Sequence, residues 1–178
     1  MNPTIKWTIA HLVTDFVGTE RGAYEWPYRD AIDGGVTTCS SSDGPVTLPD
    51  WRQGVATMLL REAKADGVVW GPEQCITLME ALRTYTINAA WQDRAETWKG
   101  SLEVGKVADL CVLAGDLLAA DPHDIPSLPI RMTVLDGVVV RLNPSVETVS
   151  RTFQVEARVP NERGLLRTGG FAKATIPA

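Results

Sequence analysis

Asp43 stands in Gly-Val-Thr-Thr-Cys-Ser-Ser-Ser-Asp-Gly-Pro-Val, residues 35–46, just past a β-branched run and inside a turn-rich stretch. A carboxylate at the C-terminal end of a strand can bind a metal and take a proton from the water bound there. An aspartate in a Ser/Gly/Pro-rich turn also has a plainer use, bonding the amides of the turn itself. His11 closes Trp7-Thr8-Ile9-Ala10-His11 and is the one candidate for a further ligand; a structural histidine is the reading set against it. His123, in Asp121-Pro122-His123-Asp124, reads as a solvated loop residue. The chain has two histidines, and a catalytic zinc normally takes three protein ligands.

The three cysteines, Cys39, Cys75 and Cys111, show no Cys-x-x-Cys spacing. They read as buried free thiols rather than a disulfide framework or a zinc knuckle. Among the tryptophans, Trp7, Trp51 and Trp91 fall in apolar or periodic contexts and are expected in the core, whereas Trp70 and Trp98 lie near turns.

The elements that must position these residues follow from the pattern. Ile5 to Leu12 is a short apolar run, expected as a buried strand. Pro27 to Ile32 reads as a helix opened by proline and stopped at Gly34-Gly35, and Val36 to Cys39 as the strand that delivers Asp43. Asp50 is an expected N-cap for a helix to about Ala65, ended by Gly67. Thr77-Leu78-Met79-Glu80 is a capping box, opening a helix through about Trp91 with Leu78, Ala81, Leu82 and Tyr85 on one face. Ala108 to Leu113 is a strand, and Asp136-Gly137 between Met132–Leu135 and Val138–Leu142 signals a hairpin. Phe153, Val155, Ala157 and Val159 alternate as in a strand, with a turn at 161–164 and another strand at 171–176.

The 178 residues carry a formal net charge of −5, which argues against a nucleic-acid partner. From Thr148 onward the charge is +3, leaving −8 for the rest. That break marks a change of character near residue 145. No signal peptide and no membrane span are read in the sequence, so a cytoplasmic location is expected.

Four ordered motifs carry a resemblance to a known family. Tyr28-Arg29-Asp30-Ala31-Ile32-Asp33-Gly34-Gly35-Val36 followed by Ser42-Asp43-Gly44-Pro45-Val46 resembles the entry into the final barrel strand of the amidohydrolase superfamily. Residues 80–90 are similar to the helix that follows. Lys99-Gly100-Ser101-Leu102-Glu103-Val104-Gly105-Lys106-Val107-Ala108-Asp109-Leu110 resembles the return into the small β-sandwich, and residues 133–140 its closing hairpin. The nearest group is amidohydrolase family 3, the YtcJ-like proteins, which also resemble N-substituted formamide deformylases.

The resemblance implies an α/β fold: the C-terminal fragment of a (β/α)8 metal-dependent hydrolase barrel (residues 1–99) with part of its β-sandwich (100–145). It implies hydrolysis of carbon–nitrogen bonds other than peptide bonds, a small-molecule amide substrate and zinc or another divalent metal. Asp43 would activate water, and Asp43 and His11 would be ligands. Ser41 replaces the family's usual glycine, and the early His-x-His pair and bridging Lys or Glu have no counterpart here. The chain alone is therefore expected to be catalytically incomplete, with a second copy or a completing chain left open as partner.

Residues 151–161 and 164–174 resemble a β-barrel segment of the periplasmic adaptor (membrane-fusion) subunits of efflux pumps. That makes 146–178 a β-rich hairpin tail. The alternative function is accordingly a non-catalytic β-rich interaction module.

Overall fold

The computed structural model describes residues 1–142 and 155–159. The order is α1 (Pro3–Val17), α2 (Thr19–Ala23), α3 (Tyr28–Asp33), α4 (Trp51–Leu60), α5 (Leu78–Tyr85), α6 (Ile87–Gln92), β1 (Val107–Leu113), β2 (Ile130–Leu142) and β3 (Val155–Arg158), with 3-10 turns at Pro72–Gln74 and Ile125–Ser127. The architecture is mixed α/β: helices first, then a three-stranded antiparallel sheet in the order β1-β2-β3. The expected strand at 171–176 lies outside the described residues.

The segment expected as a first strand is helical. A short apolar run such as Ile5 to Leu12 does not separate buried strand from buried helix by period. Pro3 at the first helical position starts α1. Thr8 Oγ1 donates to Thr4 O at 2.8 Å, so a threonine hydroxyl is satisfied on the preceding turn. The face that packs inward holds Lys6 and Ala10, one turn apart.

The Asp50 cap is present, its side chain accepting from the Arg52 amide at 3.1 Å. The helix stops at Leu60, short of the expected end. Arg61 turns left-handed there (φ 54°), and Ala63 and Trp70 bond back in a small hairpin, with an isolated bridge pairing Glu62 with Val69. Gly67, at φ 68°, serves that hairpin rather than the helix end. The Thr77–Glu80 capping box forms as read, and Glu80 also accepts from Arg29 Nη1 at 2.9 Å, tying α5 to α3. The helix expected through Trp91 breaks at Thr86 (φ −121°, ψ −100°) into α5 and α6.

Asp136-Gly137 is not a hairpin turn. Both residues lie inside β2, where the register against β1 slips between Ala108↔Gly137 and Leu110↔Val134. The extra residue makes a bulge. Asp136 takes φ 58° and its amide donates to Asp109 Oδ1 at 2.9 Å. A Cβ on Gly137 would sit 3.1–3.2 Å from Ala108 and from the Arg158 carbonyl, so both flanking strands would have to give by a few tenths of an ångström to admit one. The same dipeptide that suits a two-residue turn suits this bulge, and pairing with β1 on one half and β3 on the other keeps the strand continuous.

Tyr28, Val55, Ala56, Met58, Ile76, Ala81 and Ile125 form the core, with Trp51, Leu78, Leu82 and Tyr85 packed on it. Each large apolar side chain buried there contributes roughly 1.5–3 kcal/mol. Trp91, expected in the core, is instead 54% exposed, because the break at Thr86 resets the face that α6 presents. Cys111, expected to be buried, is exposed on the sheet; Cys39 and Cys75 are half-buried, and all three are free thiols.

Candidate functional site

Residues 36–43 take no regular secondary structure and join no sheet among the described residues. Helices hold the segment where the expected strand would have had neighbouring strands. The Val36 amide donates to Ala31 O at 2.9 Å, Ser40 N to Thr84 O at 3.1 Å, and Ser41 N to Met1 O at 3.0 Å, while Asn88 Nδ2 donates to Thr38 O at 3.0 Å. Ser40 Oγ is the main anchor, 2.9 Å from the Tyr28 hydroxyl and 2.8 Å from Thr84 Oγ1. Burial pushes the Tyr28 phenol well above its ordinary range, with the Ser40 bond pulling the other way, so Tyr28 stays a neutral hydroxyl.

Asp43 follows this anchored stretch. It is exposed, at φ 57°, and its carbonyl accepts from the Val46 amide at 2.8 Å. Its carboxylate makes no hydrogen bond or ion pair with the described residues. The left-handed position falls on Asp43, not on Ser41, so replacing the family's glycine by Ser41 costs no strain. Aspartate is one of the few residues to visit this region readily. The loop rests on the first turn of α1, where Thr4 Oγ1 lies 2.7 Å from Thr47 Oγ1 and Asn2 bonds Ser41.

His11 lies on the same helix, seven residues beyond Thr4. At the rise of an α-helix that is about 10 Å further along the axis. It is half-buried, and its Nδ1 is buried with no hydrogen-bond partner. The structure does not bring His11 and Asp43 into contact. No group of three or more His, Cys, Asp or Glu side chains among the described residues is placed to hold a metal ion. The described donors therefore do not fit the three-ligand zinc centre that the resemblance implies.

Two polar groupings escaped the sequence reading. Arg61, 2% exposed, donates to four carbonyls: Trp70 and Ala23 and Glu25 and Trp26, at 2.8–3.0 Å. Beside it Lys6, equally buried, donates to Gly22 O at 3.1 Å and stands 3.8 Å from Glu25. Burial, then the Arg61 charge, hold Lys6 down to about 8. Burial raises Glu25, against the pull of Lys6 and Arg61. No local motif announces these contacts, which join residues far apart in sequence.

The second grouping is His123. It is exposed as read, yet its ring contacts Asp121 on one side and Glu62 on the other, each at 3.0 Å. The Asp121 half was legible, since the His123 amide also donates to Asp121 Oδ1; the Glu62 half was not. Two shallow cavities, of about 160 and 240 Å³, lie beside His123 and beside Thr38, and neither is lined by Asp43 or His11.

Comparison with known proteins defines the class. This chain belongs to the amidohydrolase family, whose pattern matches residues 1–141. A second pattern, the CusB-like β-barrel domain, matches residues 121–178 and overlaps the first across β2. The chain is 29% identical over 130 residues to the "Putative amidohydrolase YtcJ" of Bacillus subtilis, covering 72% of this chain and 25% of that protein. It is 34% identical over 114 residues to the N-substituted formamide deformylase of Arthrobacter pascens, covering 64% of this chain and 21% of that one. The chain thus spans a quarter or less of the length of these curated relatives. No solved structure matches it.

Proposed function

We propose that this chain supplies the final strand-end segment of a barrel hydrolase acting on carbon–nitrogen bonds other than peptide bonds, such as N-acyl or N-formyl amides. In this reading Asp43 is the carboxylate that takes a proton from the attacking water, and segments outside this chain complete the site. The family match over residues 1–141 carries the reading. The geometry supports it in two ways. Ser40, clamped by Tyr28 and Thr84, fixes the approach to Asp43, and the Asp43 carboxylate is exposed and, among the described residues, unpaired for use as a base. Any divalent metal serving this chemistry would draw most of its ligands from elsewhere, because the donors here do not converge.

Two measurements test the reading. The chain alone, supplied with zinc or manganese, is expected to show no turnover of N-formyl or N-acyl amines above buffer. Turnover at stoichiometric metal that disappears in Asp43→Asn would overturn the incompleteness. In a chimera joining residues 1–142 to the preceding barrel of a formamide deformylase, Asp43→Asn is expected to lower kcat by roughly a hundredfold to ten-thousandfold; an unchanged kcat would remove Asp43 from the chemistry.

The match of residues 121–178 to the CusB-like β-barrel domain favours a second reading, an interaction module that works by assembly. Truncation after Leu142 separates the two. Loss of the native oligomeric state on truncation would favour the module; an unchanged state would leave the tail without that role.

A further inference from the structure

The connection between β1 and β2 is pinned to α4 at two places. Near the start of α4, Arg52 Nη1 donates to Leu128 O at 2.6 Å while its other nitrogens pair with Asp50. Past the end of α4, the Glu62 carboxylate meets His123 Nε2 at 3.0 and 3.1 Å, and His123 Nδ1 lies 3.0 Å from Asp121 Oδ1. Between the pins Ile125, 1% exposed, plugs into the core beside α4. The outer pin thus ties the connection between β1 and β2 to the segment after α4, and residue 121 is also where the second matched pattern begins.

The two pins differ in chemistry. Arg52 keeps its charge at any ordinary pH. His123 faces a carboxylate on each ring nitrogen, and only the imidazolium carries two N–H donors. A neutral ring must turn one lone pair toward a carboxylate. Asp121 is held to the ring by its own tight turn, with the His123 amide on the same oxygen at 2.9 Å. The contact free to part is the long-range one with Glu62.

We propose that His123 is a proton-operated latch: protonated, it clamps residues 121–128 onto the end of α4, and on losing its proton it releases Glu62 and loosens that connection. Glu62 and His123 themselves help line the cavity of about 160 Å³ that Trp7, Thr57, Leu60 and Pro126 also wall. The charges facing His123 are Glu62 from the segment after α4 and Asp121 from its own turn. From α4 the neighbours are the neutral Gln53 and Thr57, and from α1 Trp7, whose ring carries the Lys64 ammonium at 4.8 Å. Glu62 first, then Asp121, raise His123 above its ordinary value. The sign follows: the clamp is complete below the ordinary histidine range and is lost as pH rises through the raised folded value.

The test uses the full chain, whose two histidines are told apart by the signal that disappears in His123→Gln. Ring NMR and amide exchange of residues 121–128 are followed from about pH 5 to about pH 9. Wild type should show a raised His123 midpoint and a several-fold rise in exchange across it. Glu62→Gln should lower the midpoint by about half a unit to one unit and, like His123→Gln, abolish the exchange step. A midpoint unmoved by Glu62→Gln, or exchange through 121–128 that stays flat across the wild-type midpoint, overturns the latch.

Discussion

Arg61 and Asp43 are built on the same backbone and for opposite ends. Each follows a helix, α4 and α3 respectively, and each is a non-glycine in the left-handed region, at φ 54° and 57°. Arg61 is buried, and its guanidinium satisfies four carbonyls from two loops. Asp43 is exposed, and its carboxylate makes no hydrogen bond or ion pair among the described residues. Arginine has no intrinsic liking for this conformation, so the surroundings must impose it; aspartate accepts it with little help. Buried polarity in this molecule holds the frame together, and the carboxylate that resembles a catalytic one is left free.

The largest break in that contrast should come from Arg61→Met. Four carbonyls lose their donor inside the frame, and the expected loss of stability is about 3–5 kcal/mol, read from the urea midpoint. A loss below about 1 kcal/mol would mean that water replaces the guanidinium and that the node is not a keystone of the frame.

Gly71→Ala attacks the same node through its backbone. Gly71 sits at φ 65°, and a Cβ there would come 2.2 Å from the Ala23 carbonyl that Arg61 also binds. Expected destabilisation is about 2–3 kcal/mol; a neutral outcome in thermal melts would show that residues 23 and 71 can separate freely.

Lys6 sharpens the contrast through pH. Its folded value, about 8, lies below its ordinary 10.5. Below pH 8 the folded state bears the cost of a buried ammonium that the unfolded chain does not. Between about 8 and 10.5 the unfolded state holds more protons, so stability rises with pH by up to about 3 kcal/mol. Tyr85, raised to about 12 by burial, acts in the opposite sense above pH 10, as does Tyr28. The readout is therefore the difference between wild type and Lys6→Met. Parallel pH profiles for the two proteins would count against the assignment.

The smallest effect belongs to Asp43. Asp43→Asn keeps a residue suited to the left-handed region and removes no partner, so the isolated chain should change by less than about 0.5 kcal/mol. A loss above 1 kcal/mol in calorimetry would reveal a structural role for the carboxylate.

Legibility in the sequence followed the range of the interaction. Asp50 as a cap, the Thr77–Glu80 box, the α3 helix after Pro27 and the β1 strand were all readable, because each rests on contacts within a few residues. Reading Ile5 to Leu12 as a strand, or Asp136-Gly137 as a turn, failed where one local pattern serves two structures and distant partners choose between them. The separation of His11 from Asp43 was likewise hidden, since it depends on α1 being a helix whose first turn, not its third, receives the loop.

By itself the sequence determined the family, through motifs ordered along residues 1–141, and it determined the helix caps and the turn chemistry around Asp43. Tertiary structure alone decided that Lys6, Arg61 and Glu25 share one buried node, that His123 stands between Glu62 and Asp121, and that Asp43 has no side-chain partner among the described residues. The physical reason is that caps and turns are settled by bonds between neighbours in the chain. Burial of charge and the meeting of distant carboxylates depend on how the whole chain packs, and no short window of sequence contains that information.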